Sequence, residues 1–251
     1  SQHADGVLDF TAVAAANQSA EAQVLARLAD GSLADDFPAV TDPLRLGIGQ
    51  SMGGCLTVIQ QGQFHCYDGI GVLGFSAIHT NPPSPPGRPQ FVAPWIPRDL
   101  LDRAPWMVVN APQLAEAVPE QLSSEESWAR MAWGFHYDDV DEAVVRSDMV
   151  RDADLPAWAS ATLPSTTAIA CLAPGAVAPE AAAIRSPVLV AMGERDVVAD
   201  PKGESRAYLS ASSVDLFICP RMGHMHNFAS TRELFWERIE TWAEWVRCAA
   251  R

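Results

Sequence analysis

Ser51 stands in Gly49-Gln50-Ser51-Met52-Gly53, a serine flanked by glycines that matches the pattern GxSxG. A hydroxyl is a weak nucleophile at neutral pH, so it needs a general base to take its proton and a carboxylate to orient that base. Both partners follow in the order serine, acid, histidine. Asp196 lies in MGERDVVADP, with Glu194 and Asp200 competing for its role, and His224 and His226 lie in PRMGHMHNF. His224 directly follows Gly223 and is the favoured base; His226 is the alternative base or a neighbour that shapes the loop. A metal-binding His-x-His is the rival reading, but no second ligand cluster accompanies it. His3, His65, His79 and His136 lack such a context and read as ordinary polar residues.

Three distant residues can meet only if the chain carries them to one place. Leu44 to Gly49 reads as a buried strand leading into Ser51, and GGCLTVIQQG after it resumes a helical pattern. A sharp turn between them strains the serine backbone and requires small neighbours, which accounts for the glycines. Three further apolar runs have turn-like borders: Gly69 to Ala77, Pro187 to Gly193 and Val214 to Cys219. Short runs alternating with helical segments predict βαβ units, hence the α/β class with a mostly parallel sheet flanked by helices. Loops at the C-terminal ends of such strands share one crevice, where Asp196 and the histidines would join Ser51.

Helices are expected at both ends of this core. Residues 9–29 place Phe10, Val13, Ala14, Val24, Leu25 and Leu28 near a 3.6 period, ending at Gly31. The last helix carries Phe235, Ile239, Trp242 and Val246 as one stripe, with Ser230 and Glu233 at capping-box spacing. Between them the texture changes. NPPSPPGRP (Asn81 to Pro89) cannot be regular structure, and the stretch to about Pro164 is rich in Trp and Met. Ser123 and Glu126 have capping-box spacing for a helix that turns Trp128, Met131 and Phe135 to one face. Residues 81–164 are therefore expected to form an inserted helical lid on a core of residues 1–80 and 165–251.

Composition excludes some partners. With 251 residues, 48% of them hydrophobic, the chain can bury roughly 70% or more of its unfolded surface. A formal charge of −14 argues against nucleic acid and anionic membranes, which need clustered Lys and Arg. No apolar run reaches the roughly 20 residues of a membrane span, and SQHADG has no signal-peptide character. The scattered cysteines Cys55, Cys66, Cys171, Cys219 and Cys248, mostly among apolar neighbours, read as reduced core thiols in a cytoplasmic protein. The first residue is not Met, so the start of the protein is expected upstream.

GQSMG with its strand and helix, GERD after a later strand, GHMHNF before the final helix and the insertion near His79 together resemble the α/β-hydrolase family. The resemblance covers essentially the whole chain apart from the lid. It implies Ser51 as nucleophile, Asp196 as acid, His224 as base and the backbone N–H of Met52 as one oxyanion donor, with no cofactor and no metal. The front of the chain departs from the pattern. Members of the family have several strands before the nucleophile strand, and a loop there supplies the second oxyanion donor; here only one helix precedes Leu44. A nucleophile strand without those neighbours would expose an apolar edge. The expectation is that an N-terminal part exists, upstream in the same chain or as a separate polypeptide.

The reaction implied is hydrolysis of a carboxylic ester or lactone, with carbon–carbon bond hydrolase, thioesterase and acyltransferase behind it. A serine nucleophile argues against dehalogenase and epoxide hydrolase chemistry, which in this family uses a carboxylate. Trp95, Trp128, Met131 and Trp133 would give the lid an apolar surface suited to a bulky hydrophobic substrate. The lid has Arg98, Arg103 and Arg130 singly and no basic cluster for coenzyme A. A non-catalytic small-ligand-binding protein of the same fold is the alternative outside enzymology, and a homo-oligomer is compatible with either.

Overall fold

The computed structural model describes residues 9–88, 95, 125–149 and 170–249. In chain order these form α1 (Phe10–Ala29), β1 (Leu46–Gln50), α2 (Met52–Phe64), β2 (Gly69–Leu73), α3 (Glu125–Phe135), α4 (Glu142–Met149), α5 (Ala178–Ala183), β3 (Val188–Gly193), β4 (Val214–Cys219) and α6 (Arg232–Ala249). The four strands pair in the order β1-β2-β3-β4, every pair parallel.

Strand alternation divides the core into two layers. Ile70, Val72, Val188, Val190 and Met192 face one side and pack with Phe10 and Ala14 of α1, Cys55, Val58 and Ile59 of α2, and Ala181 of α5. Leu73, Leu189 and Ala191 face the other side and meet Phe235, Trp242 and Val246 of α6. Both faces of β2 and β3 are thus covered, which explains why their sequences are continuously apolar. None of the described helices is long and apolar enough to cross a membrane.

The register ends β1 and β2 together and carries β3 and β4 two residues further. Gln50 pairs with Leu73, Leu73 with Ala191, and Gly193 with Cys219. At the end of β1 the chain turns directly into α2. A Cβ on Gly49 would lie 2.1 Å from the Gly53 carbonyl oxygen, so helix and strand approach this closely only because position 49 has no side chain. Ser51 makes the turn at φ 56° and ψ −124°, and its N–H donates to the Leu73 carbonyl at 2.8 Å.

Several expectations are modified. The run from Gly69 is a strand only to Leu73; Gly74 takes φ 54° and its N–H still reaches Ala191, after which the chain leaves the sheet. Ser76 then bonds the buried carboxylate of Glu204. Ser230 does not cap α6, which begins at Arg232; its hydroxyl donates instead to Asp139 at 2.7 Å. The α1 stripe buries only Phe10 and Ala14, while Val24 is 50% exposed. Four cysteines are buried as expected, but Cys248 is exposed. Ser123, and with it the proposed cap of α3, lies outside the described residues. Among the described residues β1 is an edge strand, paired with β2 alone, and Ile48 on it is 46% exposed.

The positive φ at Ser51 costs a residue with a Cβ on the order of 1–3 kcal/mol. A glycine pays less at this angle and more in unfolded-chain entropy. Ser51→Gly should therefore be more stable than Ser51→Ala by about 1 kcal/mol in urea unfolding. Equal midpoints would mean that the turn is not strained.

Candidate active site

The loops that leave the C-terminal ends of β1, β3 and β4 bring Ser51, Asp196 and His224 together. The Ser51 Oγ lies 2.9 Å from His224 Nε2, and His224 Nδ1 lies 2.7 Å from Asp196 Oδ1. Asp196 and His224 are both buried, and Ser51 is partly exposed. The competing acids are engaged elsewhere. Glu194 accepts the Arg221 N–H at 2.9 Å, and Asp200 accepts the Gly203 N–H and pairs with Arg206 at the start of the turn Pro201–Ala207. His226 faces Asp196 from the side away from the serine, its Nε2 2.7 Å from Oδ2. It makes no hydrogen bond to Ser51 among the described residues, so it does not stand where the base must stand.

Met52 opens α2. Its N–H is one of the first four of the helix, which have no intrahelical acceptor. It is therefore available beside the serine hydroxyl, at the end of the helix where a developing negative charge is favoured.

Asp196 is surrounded by donors. Oδ1 receives His224 and the Val197 N–H at 2.7 Å; Oδ2 receives His226 and the Gly193 N–H at 2.8 Å. Burial by itself would raise this carboxyl, but the hydrogen bonds and charges of His224 and His226 outweigh it and hold Asp196 well below the ordinary carboxylate range. An ionised carboxylate only accepts, so His224 Nδ1 and His226 Nε2 carry the protons. That leaves His224 Nε2 bare toward Ser51, the tautomer a base requires. The two ring nitrogens and the carboxylate also lie within 4.8 Å of one another, a donor set a cation could use; in the structure described here their contacts are filled by these hydrogen bonds.

The end of α3 and the turn after it back the histidine loop. The Gly134 carbonyl accepts the His224 N–H at 3.2 Å, and the Phe135 carbonyl accepts the Met225 N–H at 2.8 Å. Gly223 makes the approach possible, since a Cβ there would lie 2.5 Å from the Phe135 oxygen. The Phe135 ring sits 5.1 Å from the His224 ring. Arg195 pins the same segment: it donates to the His136 carbonyl at 2.6 Å and to Asp138 at 2.9 Å, beneath the Trp133 ring at 4.1 Å.

Of the lid residues expected to meet substrate, Trp133 is thus occupied by Arg195, while Trp95 is 70% and Met131 39% exposed; the Trp128 side chain lies outside the described residues. The α3 aromatic in contact with His224 is Phe135. Its place on the α3 stripe is legible in the sequence but this contact is not, and no local pattern marks Arg195 or Gln50, whose amide donates to the His224 carbonyl at 2.9 Å. His136, read as ordinary, is buried and bonds Asp148 of α4 at 2.8 Å.

A carboxylate whose acidity folding increases adds stability above its unfolded value, and this is lost as pH falls through the lower folded value. For Asp196 the contribution is complete above the ordinary value of 3.8 and is lost progressively below it. Asp196→Asn should cost on the order of 2 kcal/mol at neutral pH in urea unfolding. The gap from wild type should shrink as the pH drops below about 4; a gap that stays constant into acid would mean that Asp196 is not ionised in the folded protein.

No protein-family model and no curated protein matches this chain. Solved structures do. A candidate lipase (lip1) from Acinetobacter baumannii AYE is 13% identical with a TM-score of 0.53, over 98% of this chain and 71% of that one. BpoC, a candidate non-heme bromoperoxidase from Mycobacterium tuberculosis H37Rv, is 15% identical with a TM-score of 0.52, over 100% and 77%. The peroxisomal alpha-beta-hydrolase Lpx1 from Saccharomyces cerevisiae is 13% identical with a TM-score of 0.51, over 97% and 61%. Sequence identities this low speak for architecture alone. With its parallel sheet, its helices on both faces and its sharp strand-to-helix turn, the chain has the α/β-hydrolase fold.

Proposed function

We propose that the protein is a serine hydrolase acting on a carboxylic ester or lactone through an acyl-enzyme on Ser51. The observation that carries this reading is the continuous hydrogen-bonded line from Ser51 Oγ through His224 to Asp196, at 2.9 and 2.7 Å, with the serine held at positive φ at the head of α2. In the reaction, Oγ attacks the substrate carbonyl carbon as its proton passes to His224 Nε2. The carbonyl oxygen becomes an oxyanion near the Met52 N–H. Collapse breaks the bond to the leaving alkoxide, which takes the proton from His224. Water then attacks the acyl-serine with His224 again as base, releasing the acid and restoring Ser51.

A hydrophobic substrate is favoured by the apolar surroundings. Phe135 lies against His224; a separate cleft of about 270 Å³, lined by Gln50, Leu73, Met225, Phe228 and Trp236 and not by Ser51, borders His226. The second oxyanion donor is assigned to a segment that pairs with the edge of β1 left open among the described residues, either upstream in the same protein or on a separate polypeptide. Removing one such donor typically costs about 3 kcal/mol, so this segment bears directly on rate.

Treatment of native protein with a fluorophosphonate, followed by intact-mass and peptide analysis, tests the reading. One adduct on Ser51 is expected, absent in His224→Ala. Ser51→Ala should lower p-nitrophenyl ester turnover by about ten-thousand-fold or more. A folded protein that forms no adduct, or equal turnover in wild type and Ser51→Ala, would favour a ligand-binding protein instead. The same spectrum addresses the β1 edge: extra N-terminal mass or a companion chain is expected, and full labelling of a monomer of residues 1–251 alone would overturn that assignment.

A further inference from the structure

We propose that His226 is a second imidazole on the catalytic carboxylate, a positioning residue that fixes the orientation of Asp196 and divides its single negative charge between two rings. The inference rests on the hydrolase reading above and extends it.

A carboxylate offers about four lone-pair sites, and Asp196 uses four: two imidazole N–H groups and two backbone N–H groups, one of each on each oxygen. The backbone donors belong to the residue that follows Asp196 and to the end of β3. They hold the group to its own loop. The imidazoles come from the opposite loop, so His226 ties the second oxygen to the segment that carries His224. With Oδ2 so held, rotation about the Cβ–Cγ bond of Asp196 would break the bonds at both oxygens at once, four in place of the three that would remain without His226, and Oδ1 stays turned to His224.

The surroundings of His226 suit a neutral ring. It is buried against Phe235, with ring centroids 4.5 Å apart, and lies edge-on to His224 at 6.2 Å. Gln50, Leu73, Met225, Asn227, Phe228, Trp236 and Ile239 border the same cleft, and none is titratable. Among the described residues, the titratable groups facing it are Asp196 and His224. Its Nδ1 is buried with no hydrogen-bond partner among them, so a second proton there would be an unpaired cation beside His224. Asp196 can offset one imidazolium, and acylation places that charge on His224. The lowered carboxyl of Asp196, to which both histidines contribute, fits this division.

The experiment compares the pH dependence of fluorophosphonate labelling at Ser51 in wild type, His226→Phe and His226→Gln. Phe keeps a ring against Phe235 and removes the donor; Gln keeps a donor without the ring. In His226→Phe the plateau rate should fall by about tenfold. The acidic midpoint, which belongs to the Asp196–His224 pair as a unit, should rise by about one pH unit, because the carboxylate charge then acts on His224 alone. His226→Gln should recover most of the plateau rate. If His226→Phe does not fold, His226→Asn, whose amide is too short to reach Oδ2, replaces it with the same two expectations. Wild-type labelling with an unchanged rate and midpoint in the donor-less variant overturns this inference alone. So does a Gln variant as slow as the donor-less one, since shape and not donation would then matter. Absence of wild-type labelling overturns the hydrolase reading and this inference with it.

Discussion

A buried carboxylate must be supplied with hydrogen-bond donors or give up its charge, and the C-terminal edge of this sheet is organised around supplying Asp196. Its donors come from three places: the end of β3, the residue that follows it, and the loop after β4. Each pair of donors fixes a different degree of freedom. The backbone pair sets where the carboxyl sits, and the imidazole pair sets which way it faces. Because β3 and β4 run two residues past the ends of β1 and β2 before their loops turn back, the same arrangement leaves His224 Nε2 directed at the head of α2, where Gly49 and the strained backbone of Ser51 present the hydroxyl.

The second constraint is support for the histidine loop from outside the sheet. A loop that keeps a histidine ring on both a serine and a carboxylate must not wander, yet loops have few internal hydrogen bonds to hold them. Here the chain segment Gly134–Asp139 supplies the missing bonds through two carbonyls, the Arg195 contacts and the Asp139–Ser230 pair. Arg195 adjoins Asp196 in sequence, so the acid loop and the histidine loop are braced by the same piece of chain. Gln50 adds a brace from β1 to the His224 carbonyl.

Much of this was legible in the sequence because the signals were local. GxSxG, the apolar runs and the stripe on α6 each follow from short-range rules: a tight turn needs glycines, a doubly covered strand is apolar throughout, and a packed helix repeats every 3.6 residues. Strand ends were less legible. Gly69 to Ala77 looks uniform, and only the positive φ at Gly74 and the reach of Ser76 to Glu204 end β2 early. Ser230 satisfied a spacing rule but found Asp139, a partner 91 positions away. The choice between His224 and His226 was of this second kind. Two histidines two residues apart look equivalent in one dimension, and only the fold shows one ring turned to the serine and the other to the far side of the acid. The roles of Arg195 and Phe135 depend on the placement of α3, for which no local pattern exists.

The bonds from Gly134 and Phe135 to the histidine loop use main-chain carbonyls. Every amino acid has that group, so this part of the bracing does not depend on which side chains the inserted segment carries. On the loop side the requirement is stricter, since Gly223 must remain without a side chain for the approach to occur. The consequence is an unequal freedom to mutate. On the proposed hydrolase reading, this segment could exchange the residues it shows to a substrate while its backbone goes on holding His224, so new selectivity could arise by drift in one segment without the Ser51, His224 and Asp196 arrangement being rebuilt.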